Sequence, residues 1–354
     1  MTSRPRWNNR NTKIQGGDPV NIKRTIPVIF QVGAGIFIIV AAILVAGFLL
    51  SHAQMLSTPA GFSILRPPDE VSTILVDGDM VWTGGKGGVI LFDRINRSVQ
   101  PPPHGAPEFG YVRGIAKDPE GSIWIAHDGG LARFSRNAWT IFGEHTGAPF
   151  SKALSVISQA DGLIWVGTEG KIVHYTNGTW IEIVLPPSIT LASADVLFFD
   201  SSGDLWIGCG SPAHGGLFRY DGRNWTVYGL DNGLPHPVVR DVTESADGAI
   251  WVATGFSGQG GVARYSGGKW TAFTTADGLA GPSTRSVHED RTGRMWIGSE
   301  YDGVLLRNKT ADRILTRKDG LAGNEVKVVR EDREGTFWIG TEGGLSVINA
   351  SALV

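Results

Sequence analysis

Tryptophan recurs along this chain at a nearly fixed interval, and no other feature constrains the fold as strongly. Seven of the twelve tryptophans are separated in turn by 42, 41, 41, 45, 45 and 42 residues. A period of slightly more than 40 residues indicates a repeat architecture, and the blades of β-propellers have this length. The recurring residues are Trp82, Trp124, Trp165, Trp206, Trp251, Trp296 and Trp338.

Each copy of the repeat reads as four short strands. In the fifth copy, a β-rich run at 238–245 is followed by the turn ADG and by AIWVATG at 249–255. The second run is apolar almost throughout, as is typical of a strand covered on both faces. A glycine-rich loop leads to GVARYS at 261–266, and a polar turn leads to KWTAFT at 269–274. Short turns between such runs predict an antiparallel meander, one blade per copy.

The turn between the first two strands carries the pattern Asp-x-x-Gly in four copies. Aspartate can cap its own turn, and glycine accepts the positive φ of a tight hairpin. These turns hold too few carboxylates for a calcium site. We interpret the repeat tryptophan as the large side chain that fills the space between neighbouring sheets. The turn pairs are Asp118/Gly121, Asp200/Gly203, Asp290/Gly293 and Asp332/Gly335.

The last copy holds only three strands before the sequence ends at Val354. The run GFSIL at 61–65 is a strand without a partner in its own copy. We therefore expect 61–65 to complete the last sheet, which would lock the ring and remove an open edge. The predicted fold is an all-β, seven-bladed β-propeller of four-stranded antiparallel blades over 61–354, preceded by one transmembrane helix.

The predicted helix is the apolar run at 26–50, in which Gln31 is the one polar side chain. A helix of this length can cross a hydrocarbon core of ~30 Å. Six basic residues precede it, and no lysine or arginine follows until Arg66. This asymmetry predicts an N-terminus in the cytoplasm and a propeller that is periplasmic or extracellular. A signal peptide cleaved after Ala53 is the alternative.

The predicted organisation is a short basic cytoplasmic leader (1–25), a signal-anchor helix (26–50), a linker (51–60) and the propeller (61–354). The first 26 residues carry a net charge of +5, which leaves −7 for the rest of a chain whose total is −2. A mildly acidic main body argues against nucleic acid as a partner. Cys209 is the one cysteine, so the chain can form no internal disulfide.

The pattern D-x-x-G-x-x-W-I-G-T-x-x-G-L resembles the two-component regulator propeller repeat, most clearly at 289–306 and 331–348. The DGL phrases at 277–279 and 319–321 belong to the same pattern. The resemblance extends over about 60–354. It implies an extracytoplasmic sensing propeller, because such propellers usually form the sensing part of membrane histidine kinases, some of which respond to oligosaccharides. No kinase follows the last copy in this sequence, so we expect any signal to pass through a membrane partner.

One position of the repeat indicates where a ligand could bind. Eleven residues before each repeat tryptophan, four of the seven residues are basic, and they should surround the axial opening at the start of the innermost strands. The interpretation is a basic mouth suited to a carboxylate, a phosphate or an acidic sugar. The simpler interpretation is that each base pairs with a loop acid such as Glu169, Glu300 or Glu342. The seven residues are Val71, Arg113, Leu154, Asp195, Arg240, Arg285 and Lys327.

The variable loops between the second and third strands share that face, and function tends to lie on the variable loops of a rigid scaffold. Adding their polar side chains to the four bases gives the candidate ligand-binding set. Its members are Arg113, His127, Glu169, His214, Arg240, Gln259, Arg285, Glu300, Tyr301, Lys327 and Glu342.

Three functions remain open. The first is a binding or sensor module that acts through its loop face, with the membrane, a sensor kinase or another envelope protein, and an anionic small molecule or oligosaccharide as partners. The second is a non-catalytic envelope scaffold, and the third is a metal-dependent lyase or hydrolase. His127, His214 and His236 come from different copies without metal-ligand spacing, so we assign no catalytic residue, metal or cofactor.

Overall fold

Every strand in residues 58–308 and 311–353, the part of the chain that the computed structural model describes, belongs to one of seven four-stranded sheets. Each sheet is an antiparallel meander. The predicted all-β, seven-bladed propeller of four-stranded blades is therefore confirmed. No helix within the described residues is both long and apolar enough for a membrane span. The leader at 1–25 and the predicted helix at 26–50 lie outside these residues.

The strands follow one another in the order of the blades. The first strand of the described residues is β1 (Phe62–Leu65), which belongs to the last blade. Blade 1 contains β2 (Thr73–Asp77), β3 (Met80–Gly85), β4 (Gly88–Asp93) and β5 (Val99–Gln100). Blade 2 contains β6 (Val112–Lys117), β7 (Ile123–His127), β8 (Gly130–Ser135) and β9 (Ala138–Phe142). Blade 3 contains β10 (Ser155–Ser158), β11 (Ile164–Gly167), β12 (Ile172–Thr176) and β13 (Thr179–Glu182).

The remaining four blades repeat this plan. Blade 4 contains β14 (Val196–Phe199), β15 (Leu205–Cys209), β16 (Gly216–Tyr220) and β17 (Trp225–Tyr228). Blade 5 contains β18 (Val239–Glu244), β19 (Ile250–Phe256), β20 (Gln259–Ser266) and β21 (Lys269–Phe273). Blade 6 contains β22 (Thr284–Glu289), β23 (Met295–Ser299), β24 (Val304–Arg307) and β25 (Arg313–Leu315). Blade 7 contains β26 (Val326–Glu331), β27 (Phe337–Thr341), β28 (Gly344–Ile348) and β1.

The two ends of the propeller share blade 7. Strand β1 pairs antiparallel with β28, placing Phe62 opposite Ile348. Arg97 of blade 1 ties this pair to its neighbour, since its guanidinium donates to Ser63 Oγ (2.6 Å) and to Asn349 Oδ1 (2.7 Å). The strand expected at 61–65 is thus present and leaves no open sheet at the junction of the two ends.

A buried arginine adds an ionic contact at the same junction. Arg94 of blade 1 pairs with Asp79 (3.1 Å), with the buried Asp332 of blade 7 (3.6 Å) and with Glu334. Removing a single member of a buried charge cluster is costly, because the remaining charges lose their partners. The junction between the first and last blades is therefore fixed by side chains as well as by strand pairing.

Single 3₁₀ turns follow several outer strands and account for the DGL phrases. They lie at Glu144–Thr146, Leu230–Asn232, Thr275–Asp277 and Arg317–Asp319, and a further one at Ala350–Leu353 follows the third strand of the last blade. In the fourth, Asp319 accepts hydrogen bonds from the N–H (2.9 Å) and hydroxyl (2.8 Å) of Thr316. Gly320 then adopts φ 103°, a left-handed conformation that favours glycine. Leu321 is buried in the core between blades.

The repeat tryptophans pack between adjacent sheets, as interpreted from the sequence. In five blades, the indole lies against an aromatic ring of the following blade. Such aromatic pairs add to the stabilisation that comes from burial alone. The pairs are Trp82–Phe134, Trp124–Tyr175, Trp165–Phe199, Trp206–Tyr265 and Trp296–Phe337, with ring centroids 6.4, 5.8, 5.5, 6.0 and 4.3 Å apart.

The turn aspartates have a second role that the sequence analysis missed. The predicted cap is present, for example where Asp200 Oδ1 accepts the N–H groups of Ser202 (3.0 Å) and Asp204 (2.9 Å). The other carboxylate oxygen accepts the indole N–H of the repeat tryptophan six residues later. These bonds are Trp124–Asp118 (2.8 Å), Trp206–Asp200 (2.8 Å), Trp296–Asp290 (3.0 Å) and Trp338–Asp332 (3.1 Å).

This bond can be separated from the packing of the ring by comparing two buried tryptophans. Trp206→Phe removes both ring volume and the donor to Asp200. Trp82→Phe removes only ring volume, because the residue six positions before Trp82 is Val76, whose side chain accepts no hydrogen bond. A hydrogen bond to a charged group contributes roughly 1.5–3 kcal/mol. We expect Trp206→Phe to lower the free energy of unfolding by about 1–2 kcal/mol more than Trp82→Phe does, as measured by urea denaturation. Equal losses would contradict this role of the bond.

Candidate binding site at the axial mouth

The residues that lie eleven positions before the repeat tryptophans do come together around one cavity. Six of its seven residues line a space of about 170 Å³ at the start of the inner strands. Val71 is fully buried, and its neighbour Ser72 lines the cavity instead. The six residues are Arg113, Leu154, Asp195, Arg240, Arg285 and Lys327.

A second cavity of about 380 Å³ extends from the first along the inner strands. The two share Arg113, Asp195, Arg240 and Lys327, and the second reaches Lys117 and other residues near the opposite ends of these strands. Together the cavities form a channel lined by inner strands, and we call the end that holds the 170 Å³ cavity the axial mouth.

Each basic residue of the mouth is the extra residue of a β-bulge. The pairing register between the first and second strands shifts across Val112/Gly114, Val239/Asp241, Thr284/Ser286 and Val326/Val328. The residues inside these steps are Arg113, Arg240, Arg285 and Lys327. A bulge leaves one residue out of the ladder and redirects its side chain, and bulges are enriched beside functional sites.

These bulges were not expected from the sequence, although a signal for them is present. In each case, a buried β-branched residue directly precedes the base: Val112, Val239, Thr284 and Val326 are at most 1% exposed. At the non-basic positions of blades 3 and 4, the preceding residues are Ala153 and Ala194. A β-branched residue followed by a base at the start of the inner strand therefore marks the four bulges in this chain.

Three of the four bases are neutralised by acids at the mouth. Arg113 pairs with Asp128 (2.9 Å), which also pairs with Lys152 (3.0 Å). Arg285 pairs with Glu300 (3.0 Å) and Glu325 (2.6 Å). Lys327 pairs with Glu70 (2.9 Å) and Glu325 (3.4 Å). The simpler interpretation, in which each base pairs with a nearby acid, therefore holds for these three bases. Of Glu169, Glu300 and Glu342, only Glu300 forms such a pair.

Arg285 and Lys327 belong to a continuous series of contacts across blades 6, 7, 1 and 2, which we call the charge arc. Charged groups of opposite sign alternate along it, and a tyrosine hydroxyl, which donates to Glu70 (2.5 Å), ends it. In order, its members are Glu300, Arg285, Glu325, Lys327, Glu70 and Tyr111.

The charge arc stabilises the ionised forms of Glu70 and Lys327. Burial disfavours the charge on Glu70, but hydrogen bonds from Lys327 and Tyr111 outweigh burial and lower the pKa of this carboxyl. Burial likewise opposes the charge on Lys327, yet its hydrogen bond to Glu70 raises the lysine pKa above the usual value. These bases are thus charged and already partnered, so the mouth is less basic than the sequence indicated.

Arg240 is the exception. Within residues 58–308 and 311–353, no carboxylate oxygen lies within 4.0 Å of its nitrogens. Its Nε donates to the Gly255 carbonyl (3.2 Å), and its guanidinium carbon lies 6.0 Å from the ring centroid of Phe256. Burial, together with repulsion from Arg285, lowers the pKa of Arg240, but arginine remains charged at neutral pH. The mouth therefore contains one cation without a counter-ion.

The mouth also contains an acid without a cation. Asp195, on blade 4, pairs with no basic group within 4.0 Å in the described part of the chain. Its Oδ2 accepts the N–H of Gly210 (2.7 Å) and the hydroxyl of Ser193. Blades 4 and 5 thus present one unpaired negative and one unpaired positive side chain to the same cavity.

Other predicted site residues have structural roles. His127 is 4% exposed, its Nδ1 accepts the N–H of Gly129 (3.2 Å), and burial lowers its pKa, so it is neutral at pH 7. Glu342 accepts the N–H groups of Asn324 (3.0 Å) and Glu325 (2.9 Å) and so orders the loop before β26. Neither residue lines the cavity at the mouth.

Four more predicted residues lie on exposed loops or hairpin ends. None of them belongs to the lining of the 170 Å³ cavity, and Tyr301 is 62% exposed. The structure therefore gathers the four bases of the predicted set, with Glu300 behind Arg285, and leaves the other six members apart. The four exposed residues are Glu169, His214, Gln259 and Tyr301. Within the described residues, no group of three His, Cys, Asp or Glu side chains could hold a metal ion.

Two groups influenced by Arg330 have strongly shifted pKa values, and one of them, Asp241, lines the 380 Å³ cavity. Burial raises the pKa of Asp241 to about 6, although Arg330 and two backbone N–H groups oppose the rise. Burial, aided by repulsion from Arg330, lowers the pKa of His288 to about 4. Below pH 6, the folded protein takes up a proton at Asp241 more readily than the unfolded chain does, and the reverse holds at His288.

These shifts predict opposite effects of acid on stability. A raised aspartate pKa adds stability as the pH falls from about 6 towards 4, whereas a lowered histidine pKa removes stability as the pH falls below 6.5. Between pH 7 and pH 5, we expect Asp241→Asn to increase the acid-induced loss in unfolding free energy by about 1 kcal/mol and His288→Gln to reduce it by about 1–2 kcal/mol. Urea denaturation at both pH values tests this, and shifts of the same sign would refute it.

The molecule is thus a seven-bladed propeller with a polar axial cavity. The family model described as "Two component regulator propeller" matches residues 320–343, which run from the last DGL phrase into blade 7. The match confirms the resemblance inferred from the sequence, and residues 320–343 carry one copy of the two-component regulator propeller repeat. No curated protein matched the chain.

Several solved structures share the fold. One is described as the extracellular domain of a hybrid two-component system of B. thetaiotaomicron (17% identity, TM-score 0.56, covering 80% of this chain and 52% of that one). A second is PorZ, a surface component of the type-IX secretion system of Porphyromonas gingivalis (16%, 0.63, 83% and 48%). A third is virginiamycin B lyase from Staphylococcus aureus (16%, 0.62, 81% and 98%). This chain spans about half the length of the first two, and such low identities establish the fold alone.

Proposed function

We propose that this protein is an extracytoplasmic binding propeller of the two-component regulator type that recognises the anionic group of a small molecule at its axial mouth. The main support for the proposal is the unpaired charge of Arg240. This arginine is the one basic bulge residue without a carboxylate partner in the described part of the chain, and it lines the cavity. The repeat and the likeness to an extracellular domain of a two-component system support the sensor class.

The physical reason is the cost of an uncompensated charge. A partly buried guanidinium loses hydration, and an anion that binds it restores favourable electrostatics and gains hydrogen bonds of roughly twice the usual strength. Arg113, Arg285 and Lys327 already have acidic partners. An anion at these three residues would have to displace a carboxylate, so Arg240 is the favoured contact.

Binding of simple anions to the full-length protein in detergent tests this function. The panel contains pyruvate, 3-phenylpropanoate and inorganic phosphate, and isothermal titration calorimetry measures affinity. We expect Arg240→Gln to weaken binding of the tightest anion at least ~tenfold, the loss of one charge-assisted contact. Arg264→Gln, which removes a base paired with Asp247 at the other end of blade 5, should leave affinity unchanged. Equal binding by wild type and Arg240→Gln would refute the proposal.

In the same proposal, residues 26–50 anchor the propeller in the cytoplasmic membrane, and a membrane protein such as a sensor kinase receives the signal. The support is the apolar run itself and the basic residues that precede it. The partner would contact the loop face around the mouth.

Membrane anchoring has a direct test. Membranes from cells that express the full-length chain are washed with alkaline carbonate, which releases peripheral proteins. We expect the full-length chain to stay in the pellet, and a variant in which a cleavable export signal replaces residues 1–53 to enter the soluble fraction. Release of the full-length chain, with an N-terminus at Gln54, would instead support cleavage after Ala53.

A further inference from the structure

The cavity at the mouth places two unpaired, opposite charges on neighbouring blades. Asp195 directly precedes β14 of blade 4, and Arg240 is the bulge residue of β18 in blade 5. The remaining acids of the mouth all have basic partners: they are Glu70, Asp128, Glu300 and Glu325. Asp195 and Arg240 thus stand apart from an otherwise neutralised ring.

Both side chains keep free hydrogen-bonding atoms. The two hydrogen bonds that Asp195 accepts go to Oδ2, and within the described residues its Oδ1 accepts none. The one hydrogen bond that Arg240 donates there comes from Nε, so Nη1 and Nη2 remain available. One free acceptor and two free donors therefore belong to side chains that line the same cavity.

The two charges attract one another through space but do not meet. Asp195 is among the acids that favour the charge on Arg240, yet no oxygen of Asp195 lies within 4.0 Å of a guanidinium nitrogen. Each side chain is held by its own blade: Asp195 by Ser193 and Gly210, and Arg240 by the Gly255 carbonyl. The two charged groups are therefore held apart, and both face the cavity that a ligand would occupy.

One part of the cavity wall is apolar. Leu154, Val196 and Val239 contribute to its wall. Phe256, which lies beside the Arg240 guanidinium, is 42% exposed. A volume of about 170 Å³ favours a small molecule, since drug-sized ligands typically occupy ~300–1,000 Å³.

These observations, together with the proposed function on which the inference rests, identify the class of ligand. We infer that the mouth binds a small zwitterion of the amino-acid type, with its carboxylate on Nη1 and Nη2 of Arg240, its ammonium on Oδ1 of Asp195 and an apolar side group along the wall. A polyanion fits less well, because its further charges would have to break the ion pairs of the charge arc.

Three matched probes test separately how the site recognises the ammonium and the carboxylate. L-Phenylalanine carries both charges, 3-phenylpropanoate lacks the ammonium, and 2-phenylethylamine lacks the carboxylate. Isothermal titration calorimetry with the full-length protein in detergent measures each affinity. We expect L-phenylalanine to bind at least ~tenfold more tightly than either analogue, because a site built to pair a charged group rejects a ligand that lacks it.

Variants assign each charge to its residue. Asp195→Asn should abolish the preference for L-phenylalanine over 3-phenylpropanoate, and 3-phenylpropanoate should bind this variant at least as tightly as the wild type, because a negative charge is removed from the mouth. Arg240→Gln should weaken both acids. The matched controls are Asp247→Asn and Arg264→Gln, which alter an ion pair at the other end of blade 5 and should leave all three affinities unchanged.

Each contrary outcome has a distinct meaning. If 3-phenylpropanoate binds as tightly as L-phenylalanine, or if Asp195→Asn keeps the preference for L-phenylalanine, the zwitterion inference fails while anion binding at Arg240 stands. If no anion in either panel binds, or if 2-phenylethylamine binds as tightly as L-phenylalanine and Arg240→Gln has no effect, both the inference and the proposed function fail.

Discussion

A repeat tryptophan such as Trp124, Trp206 or Trp296 joins two structural units, and the spacing of the blades depends on that double contact. Within its own blade, the indole N–H fixes the first turn, as Trp206 does through Asp200 (2.8 Å). Towards the next blade, the ring packs on an aromatic side chain, as Trp296 does on Phe337, with centroids 4.3 Å apart. One sheet cannot bury both its faces alone, so the side chain between sheets sets their spacing, and seven such sheets close the circle.

Closure has a direct consequence for the axis. Once the sheets are equally spaced, the same repeat position in every blade approaches the same point, so side chains far apart in sequence become neighbours. Lys327 and Glu70 are 257 residues apart and lie 2.9 Å from each other. The bulges add to this effect. In four inner strands, a bulge leaves one residue out of the strand pairing, while the residue before it stays buried.

The repeat period made the fold and the location of the mouth predictable, but it did not indicate which charged residues of the mouth would be paired. Trp, Asp and Gly at fixed offsets report local geometry, which is why the blades and the closing strand at 61–65 could be inferred. The partners of a base depend on loop conformation across blades. Arg285 and Glu300 could be paired from the sequence because they flank one hairpin. Nothing local indicated that Arg240 would remain unpaired, or that Glu342 would cap a loop.

The site arises from differences between the repeats. Seven identical positions would create a ring of equal charges, which repel one another and distinguish no direction. Here, blades 6, 7, 1 and 2 form the charge arc, blade 3 contributes Leu154, and blades 4 and 5 contribute Asp195 and Arg240. The unpaired charges therefore lie on one side of the mouth, opposite a side whose charges are paired. A symmetric scaffold thereby presents one oriented dipole, and a ligand bound there would have a defined orientation relative to the loops of blades 4 and 5.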